Sequence, residues 1–129
     1  MSAPRRVQSV LIVDDDESLR ATIRDYAERL GIDVWEAPNG LEAVWILEHQ
    51  RPALVLLDLK MPRLDGFETL RQIRHIDASM RVVLVTGDPD DAARRRLAAL
   101  ELEVLYKPIT PAELDRVFGA PAAHQSQKA

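Results

Sequence analysis

The stretch LVLLDLKMPRLDG, residues 54–66, decides the fold. Its apolar run stops at one carboxylate, Asp58, and a Pro-containing loop closed by Gly66 follows. Four successive apolar residues between turn signals predict a strand buried on both faces, the kind found inside a parallel sheet. In open parallel sheets ligands sit beyond the carboxyl ends of the strands, so an acid at that end stands where a reactive group would be presented. Taken alone, Asp58 has a plainer reading as a turn residue, since Asp readily hydrogen-bonds its own backbone in loops. The rest of the chain decides between the two.

The 129 residues make one domain, long enough for a single core. Hydrophobic residues at 47% and charged residues at 29% fit an ordinary globular chain, and no segment approaches the roughly 18 apolar residues of a membrane span. The start, MSAPRRVQSV, leads into a short apolar run that ends in acids, which is not a secretory pattern, so the cytoplasm is the expected location. With no cysteine, disulfides, thiolate metal sites and cysteine nucleophiles are excluded. A net charge of −4 argues against a general nucleic-acid binder.

Upstream of the organising stretch, residues 7–13 end in the run VLIV and read as a buried strand that breaks at Asp14, Asp15 and Asp16. Leu19, Ile23, Tyr26, Ala27 and Leu30 then fall on one helical face, which Gly31 ends. Residues 32–37 form a short strand, and Pro38, Asn39 and Gly40 a turn. Leu41, Val44, Trp45 and Leu47 are expected to carry a second helix to about Gln50. Downstream, Phe67, Leu70, Ile73 and Ile76 mark a third helix, and residues 81–86 (RVVLVT) a strand ending in a hydroxyl. A helix over residues 89–100 precedes a short strand at residues 104–106. Thr110, Pro111 and Glu113 carry the cap, first-turn proline and acid of a last helix. Residues 119–129 have no apolar period and are expected to fray; residues 1–6 are assigned as an N-terminal extension and 7–118 as the domain proper. Strand and helix alternate five times, which predicts parallel strands joined by right-handed crossovers in a doubly wound α/β sheet.

In such a sheet every strand delivers its carboxyl end to one edge. Asp14 and Asp15, Asp58, Thr86 and Lys107 therefore converge although they are far apart in sequence. Clustered carboxylates raise one another's pKa unless a cation joins them. An oxygen-only donor set favours a hard ion such as Mg²⁺, or Mn²⁺ in its place. Lys107 adds a fixed positive charge. The set suits phosphoryl transfer, with Asp58 as nucleophile, Asp14 and Asp15 as metal ligands, and Thr86 and Lys107 on the phosphoryl oxygens. Each residue has a structural alternative as cap, strand end or solvated lysine; their coincidence at successive strand ends favours the chemical reading.

With those residues in view, the sequence resembles the receiver domains of two-component response regulators. The acidic pair after VLIV, the stretch DLKMPRLDG, Thr86 followed by Gly87, and Lys107 before Pro108 carry the likeness over residues 7–118. The resemblance implies a flavodoxin-like fold with five parallel strands in the order 2-1-3-4-5 and helices on both faces. It implies Asp58 as phosphoacceptor, a Mg²⁺ contact from the Lys60 carbonyl, and a cis Lys107–Pro108 bond. The implied donor is a phosphohistidine on a histidine kinase or phosphotransfer protein, docked on Ser18, Leu19, Thr22, Pro108 and Ile109. A downstream protein or a second copy would engage the fourth helix, fifth strand and fifth helix. The protein would be a signalling module with autodephosphorylation and not a turnover enzyme.

Two departures stand out. Family members often place Tyr or Phe three residues before the lysine, where this chain has Val104, so a rotameric aromatic switch is not expected. Lys60 and Asp88 are expected to pair across the site mouth and limit entry of hydrolytic water, which with Val104 would modulate phosphoryl lifetime. Arg94, Arg95 and Arg96 read as a solvated helix face, and His49, His75 and His124 as surface residues. A small phosphatase of the haloacid-dehalogenase type is the competing enzyme reading, with Asp14 and Asp16 as its Asp-x-Asp pair. A receiver-like binding module without phosphorylation is the third.

Overall fold

The computed structural model describes residues 5–61 and 65–121. Five strands alternate with five helices: β1 (Ser9–Val13), α1 (Glu17–Arg29), β2 (Asp33–Ala37), α2 (Gly40–Leu47), β3 (Leu54–Asp58), α3 (Gly66–Ile76), β4 (Val82–Thr86), α4 (Asp91–Leu100), β5 (Glu103–Tyr106) and α5 (Pro111–Phe118). All strands are parallel in one sheet of order β2-β1-β3-β4-β5, as the sequence led us to expect. The order switches direction at β1 and β3, and the strand that leads into Asp14 and the strand that ends in Asp58 are therefore neighbours.

Every residue of β3 and β4 is buried, so these strands need the unbroken apolar runs LVLL and VVLV. Successive residues point to opposite faces and divide the core in two. On one face Leu11, Val13, Val55, Leu57 and Leu84 pack with Ala43 and Leu47 of α2, Leu70 and Ile73 of α3, and Leu97 of α4. On the other, Ile12, Leu56, Val83, Val85 and Leu105 pack with Ile23 and Ala27 of α1 and Leu114, Val117 and Phe118 of α5. Both layers are anchored in β3, and this fixes the height at which Asp58 leaves the core.

The helices start where side-chain caps accept orphan N–H groups. Asp16, Asn39, Asp65, Asp90 and Thr110 each accept from the backbone three residues on, and Thr110 with Glu113 forms a complete capping box. Gly31 follows α1 with φ +82, a left-handed conformation that glycine adopts without strain. The second helix departs from expectation. Leu41 and Trp45 are exposed, at 53% and 63%, and the buried face is built from Gly40, Ala43 and Leu47. Small residues let α2 lie close to the sheet and turn the larger ones outward. In α4 only Leu97 is buried, and Arg94, Arg95 and Arg96 are exposed.

The first residues of the stretch expected to fray are held. Arg5 bridges to Ala120, the Arg6 N–H donates to the Ala120 carbonyl at 2.6 Å, and the Val7 N–H donates to the Phe118 carbonyl at 2.8 Å. Residues 122–129, including His124, lie outside the described residues, as do residues 62–64 of the organising loop.

Candidate functional site

The carboxyl edge of the sheet assembles its acids in steps. Asp14 sits one residue past β1; its N–H donates to the Ala37 carbonyl of β2 at 3.1 Å, so the strand ladder continues through it. Its Oδ1 accepts the Asp16 N–H at 2.8 Å, which makes the tight turn into α1, while Asp16 itself caps that helix. Asp58 ends β3 opposite Val85 of β4, and its Oδ1 accepts the Lys60 N–H at 3.2 Å. Asp14 and Asp58 are both only 3% exposed, whereas Asp15 is exposed. Carboxylate oxygens of Asp14, Asp15 and Asp58 lie within 4.8 Å of one another.

Lys107 answers this concentration of negative charge. Its Nζ is 3.2 Å from Asp14 Oδ2 and 3.5 Å from Asp58 Oδ2, one cation shared between two buried acids. The Lys107 N–H donates to the Thr86 carbonyl at 2.8 Å, which ties the lysine to the end of β4, and the Lys107–Pro108 bond is cis. Burial pushes the Asp58 carboxyl up to about 6, with the Asp14 charge adding to the effect; Lys107 and the Lys60 N–H oppose it. Burial lowers the Lys107 ammonium, but Asp58 and then Asp14 outweigh it and leave the group above its ordinary value. One lysine thus only partly offsets the cost of burying Asp58 and its repulsion by Asp14. Three close carboxylates with no sulfur or imidazole donor fit a hard divalent cation, which would supply the missing charge.

Gly66 closes the loop against this centre. A Cβ there would stand 2.4 Å from Leu59 Cα and 2.6 Å from the Asp58 carbonyl oxygen, so the glycine of the organising stretch is required by close approach. Thr86 is buried at the end of β4 and borders a groove with Lys60, Met61, Phe67, Asp90 and Arg96. The expected ion pair across the mouth takes another form: Lys60 Nζ donates to the main-chain carbonyl of Asp88 at 3.5 Å. Val104 is half-buried beside the core, and Tyr106, of opposite parity, is exposed. Arg96 lies over the Phe67 ring, 3.8 Å from its centroid, a contact between α3 and α4 that the reading of a solvated arginine triplet missed. Ser18 and Thr22 are exposed on α1, where the Thr22 hydroxyl donates to the Ser18 carbonyl at 3.0 Å. Leu19 and Ile109 are half-buried and Pro108 is exposed. Arg20 was also missed: from the first turns of α1 its Nη1 donates to the Asp14 carbonyl at 2.5 Å. An arginine six residues after Asp14 was the available signal.

Residues 10–118 match the family model described as the response regulator receiver domain. Sporulation initiation phosphotransferase F of Bacillus subtilis is 39% identical over 80 residues, covering 62% of this chain and 64% of the relative. The alkaline phosphatase synthesis transcriptional regulatory protein PhoP of the same organism is 32% identical over 111 residues, covering 84% of this chain and 45% of the relative. The chain thus spans less than two thirds of the length of these relatives. Among solved structures, the receiver domain of sensor histidine kinase PA1611 from Pseudomonas aeruginosa, with a magnesium ion coordinated in its active-site cleft, superposes with a TM-score of 0.78 at 28% identity, covering 86% of this chain and 93% of that one. The strand order, the acids at two adjacent strand ends and the match over nearly the whole described chain lead to one assignment: this protein belongs to the response regulator receiver domain family.

Proposed function

We propose that Asp58 accepts a phosphoryl group from a phosphohistidine of a histidine kinase or phosphotransfer protein, in a reaction that requires Mg²⁺ or Mn²⁺. The observation that carries this reading is the cluster of three carboxylates within 4.8 Å, with Lys107 shared between the two buried ones. Asp14, Asp15, Asp58 and the Lys60 carbonyl would hold the cation, which when bound neutralises charge on the carboxylates and the incoming phosphoryl oxygens. The Asp58 oxygen attacks phosphorus; the O–P bond forms as the P–N bond to the donor imidazole breaks, giving an acyl phosphate on Asp58. Lys107 and the Thr86 hydroxyl bind phosphoryl oxygens on the protein side, as fixed donors beside the buried Asp58.

Ser18, Leu19, Thr22, Pro108 and Ile109 form the donor's docking surface in this reading. The Lys60 bridge to the Asp88 carbonyl and the small Val104 tune the lifetime of the acyl phosphate, which the protein itself hydrolyses; it is a switch in the cytoplasm and not a turnover enzyme. The phosphorylated form signals through a downstream protein or a second copy at α4, β5 and α5. Labelling by a small phosphodonor with and without Mg²⁺ tests the core of the proposal. Parent protein should incorporate one phosphoryl group only with the metal, and Asp58→Asn should incorporate none. Labelling that persists in Asp58→Asn would overturn it.

A further inference from the structure

Two of the three clustered acids are held by direct contacts to their carboxylates, and the third is not. Asp14 is fixed by the Asp16 N–H and Lys107, and Asp58 by the Lys60 N–H and Lys107. Asp15 is exposed, and among the described residues its carboxylate has no hydrogen-bond partner. Its aim therefore depends on the backbone that carries it. The peptide plane leading into Asp15 contains the Asp14 carbonyl oxygen, the atom that Arg20 Nη1 reaches at 2.5 Å. Arg20 is itself braced: its Nε donates to Glu36 Oε1 at 3.2 Å, and Glu36 Oε2 accepts Arg24 Nη1 at 3.0 Å. With its side chain 12% exposed, the Arg20 guanidinium is largely withdrawn from water, and its planar fork has little freedom between two fixed acceptors.

We infer that Arg20 is a positioning residue for the cation site, holding the Asp14–Asp15 peptide so that Asp15 faces Asp14 and Asp58, with Glu36 on β2 as its brace. This rests on the functional reading above. A purely electrostatic role has the opposite sign. A guanidinium beside the acids repels a divalent cation, so deleting it would tighten Mg²⁺ binding. Deleting a residue that orients ligands weakens it, by about 10- to 100-fold for groups of this kind.

The test is titration with MgCl₂ alone, followed by backbone amide NMR shifts in the parent, Arg20→Met, Arg20→Lys and Glu36→Gln. Arg20→Met should bind Mg²⁺ about tenfold more weakly. Arg20→Lys, which keeps the charge but not the fork, should fall between it and the parent. Glu36→Gln should weaken binding by a smaller factor, because it leaves Arg20 in place but loosens its brace. In phosphodonor labelling the half-saturating Mg²⁺ concentration should rise by the same factors, while the rate at saturating Mg²⁺ stays within about twofold of the parent. Unchanged or tighter binding in folded Arg20→Met overturns the inference. If that variant does not fold, Glu36→Gln decides by the same criterion. Failure of the parent to bind Mg²⁺ removes the functional reading and this inference together. Normal Asp58 labelling with Mg²⁺ affinity indifferent to Arg20 removes the inference alone.

Discussion

Replacing Asp58 with Asn should make the metal-free protein more stable at neutral pH, and the gain should be pH-dependent. Asp58 is 3% exposed, beside the equally buried Asp14, and its carboxyl titrates at about 6 against an ordinary 3.8. A raised pKa means that the folded state binds this proton more tightly than the unfolded chain does. Stability from this group is therefore full below the unfolded pKa and is lost as pH rises through the folded one. A shift of about two units corresponds to about 3 kcal/mol once both states are ionised. About half of that cost is present at pH 5, and little of it at pH 4. Asn keeps the shape and an oxygen for the Lys60 N–H but carries no charge, and Lys107 retains Asp14 as partner. Urea denaturation should show Asp58→Asn more stable by about 1–3 kcal/mol at pH 7.5, with the difference shrinking steadily toward pH 4. Millimolar MgCl₂ should stabilise the parent and narrow the gap, since binding to the folded state adds to its stability. A variant no more stable than the parent at pH 7.5, or a gain that is flat between pH 5 and 7.5, would refute the reasoning.

Gly66→Ala should lower stability by about 1–3 kcal/mol and slow phosphodonor labelling, because the new methyl meets main-chain atoms of Asp58 and Leu59; urea midpoints and labelling rates check both. Thr110→Ala removes one half of the α5 capping box and should cost about 1 kcal/mol in urea denaturation while leaving labelling unchanged. Leu97→Ala deletes the only buried side chain of α4 and should cost about 2–3 kcal/mol, with the loss of amide protection in hydrogen exchange concentrated in residues 91–100.

Fold and site were legible for one reason: the chain announces its strand ends. VLIV, LVLL, RVVLVT and VLYK each stop at the residue that matters, and parallel topology does the rest. What escaped was whatever depends on distance across elements. Periodicity gives α2 two candidate faces, and Leu41 and Trp45 outweigh Gly40 and Ala43 on any hydrophobic scale, yet close approach to the sheet favours the small ones. Lys60 was expected to meet the Asp88 carboxylate and instead reaches its main-chain carbonyl, because the sequence cannot tell one acceptor from the other. Arg20 reaches a main-chain oxygen, and main-chain acceptors carry no residue letter. Arg96 on Phe67 likewise needs two helices placed side by side before it can be seen.

The bridge between Arg5 and Ala120 brings the way into β1 and the way out of α5 to one spot. That spot lies at the amino-terminal edge of the sheet, the side remote from Asp58. The segment from residue 5 to residue 120 is nearly a closed loop, and a short linker from 120 back to 5 should yield a circular permutant that keeps the acidic cleft intact. By the same geometry, the domain can be spliced into another polypeptide at that edge without obstructing the opposite edge, where Asp14, Asp15 and Asp58 meet.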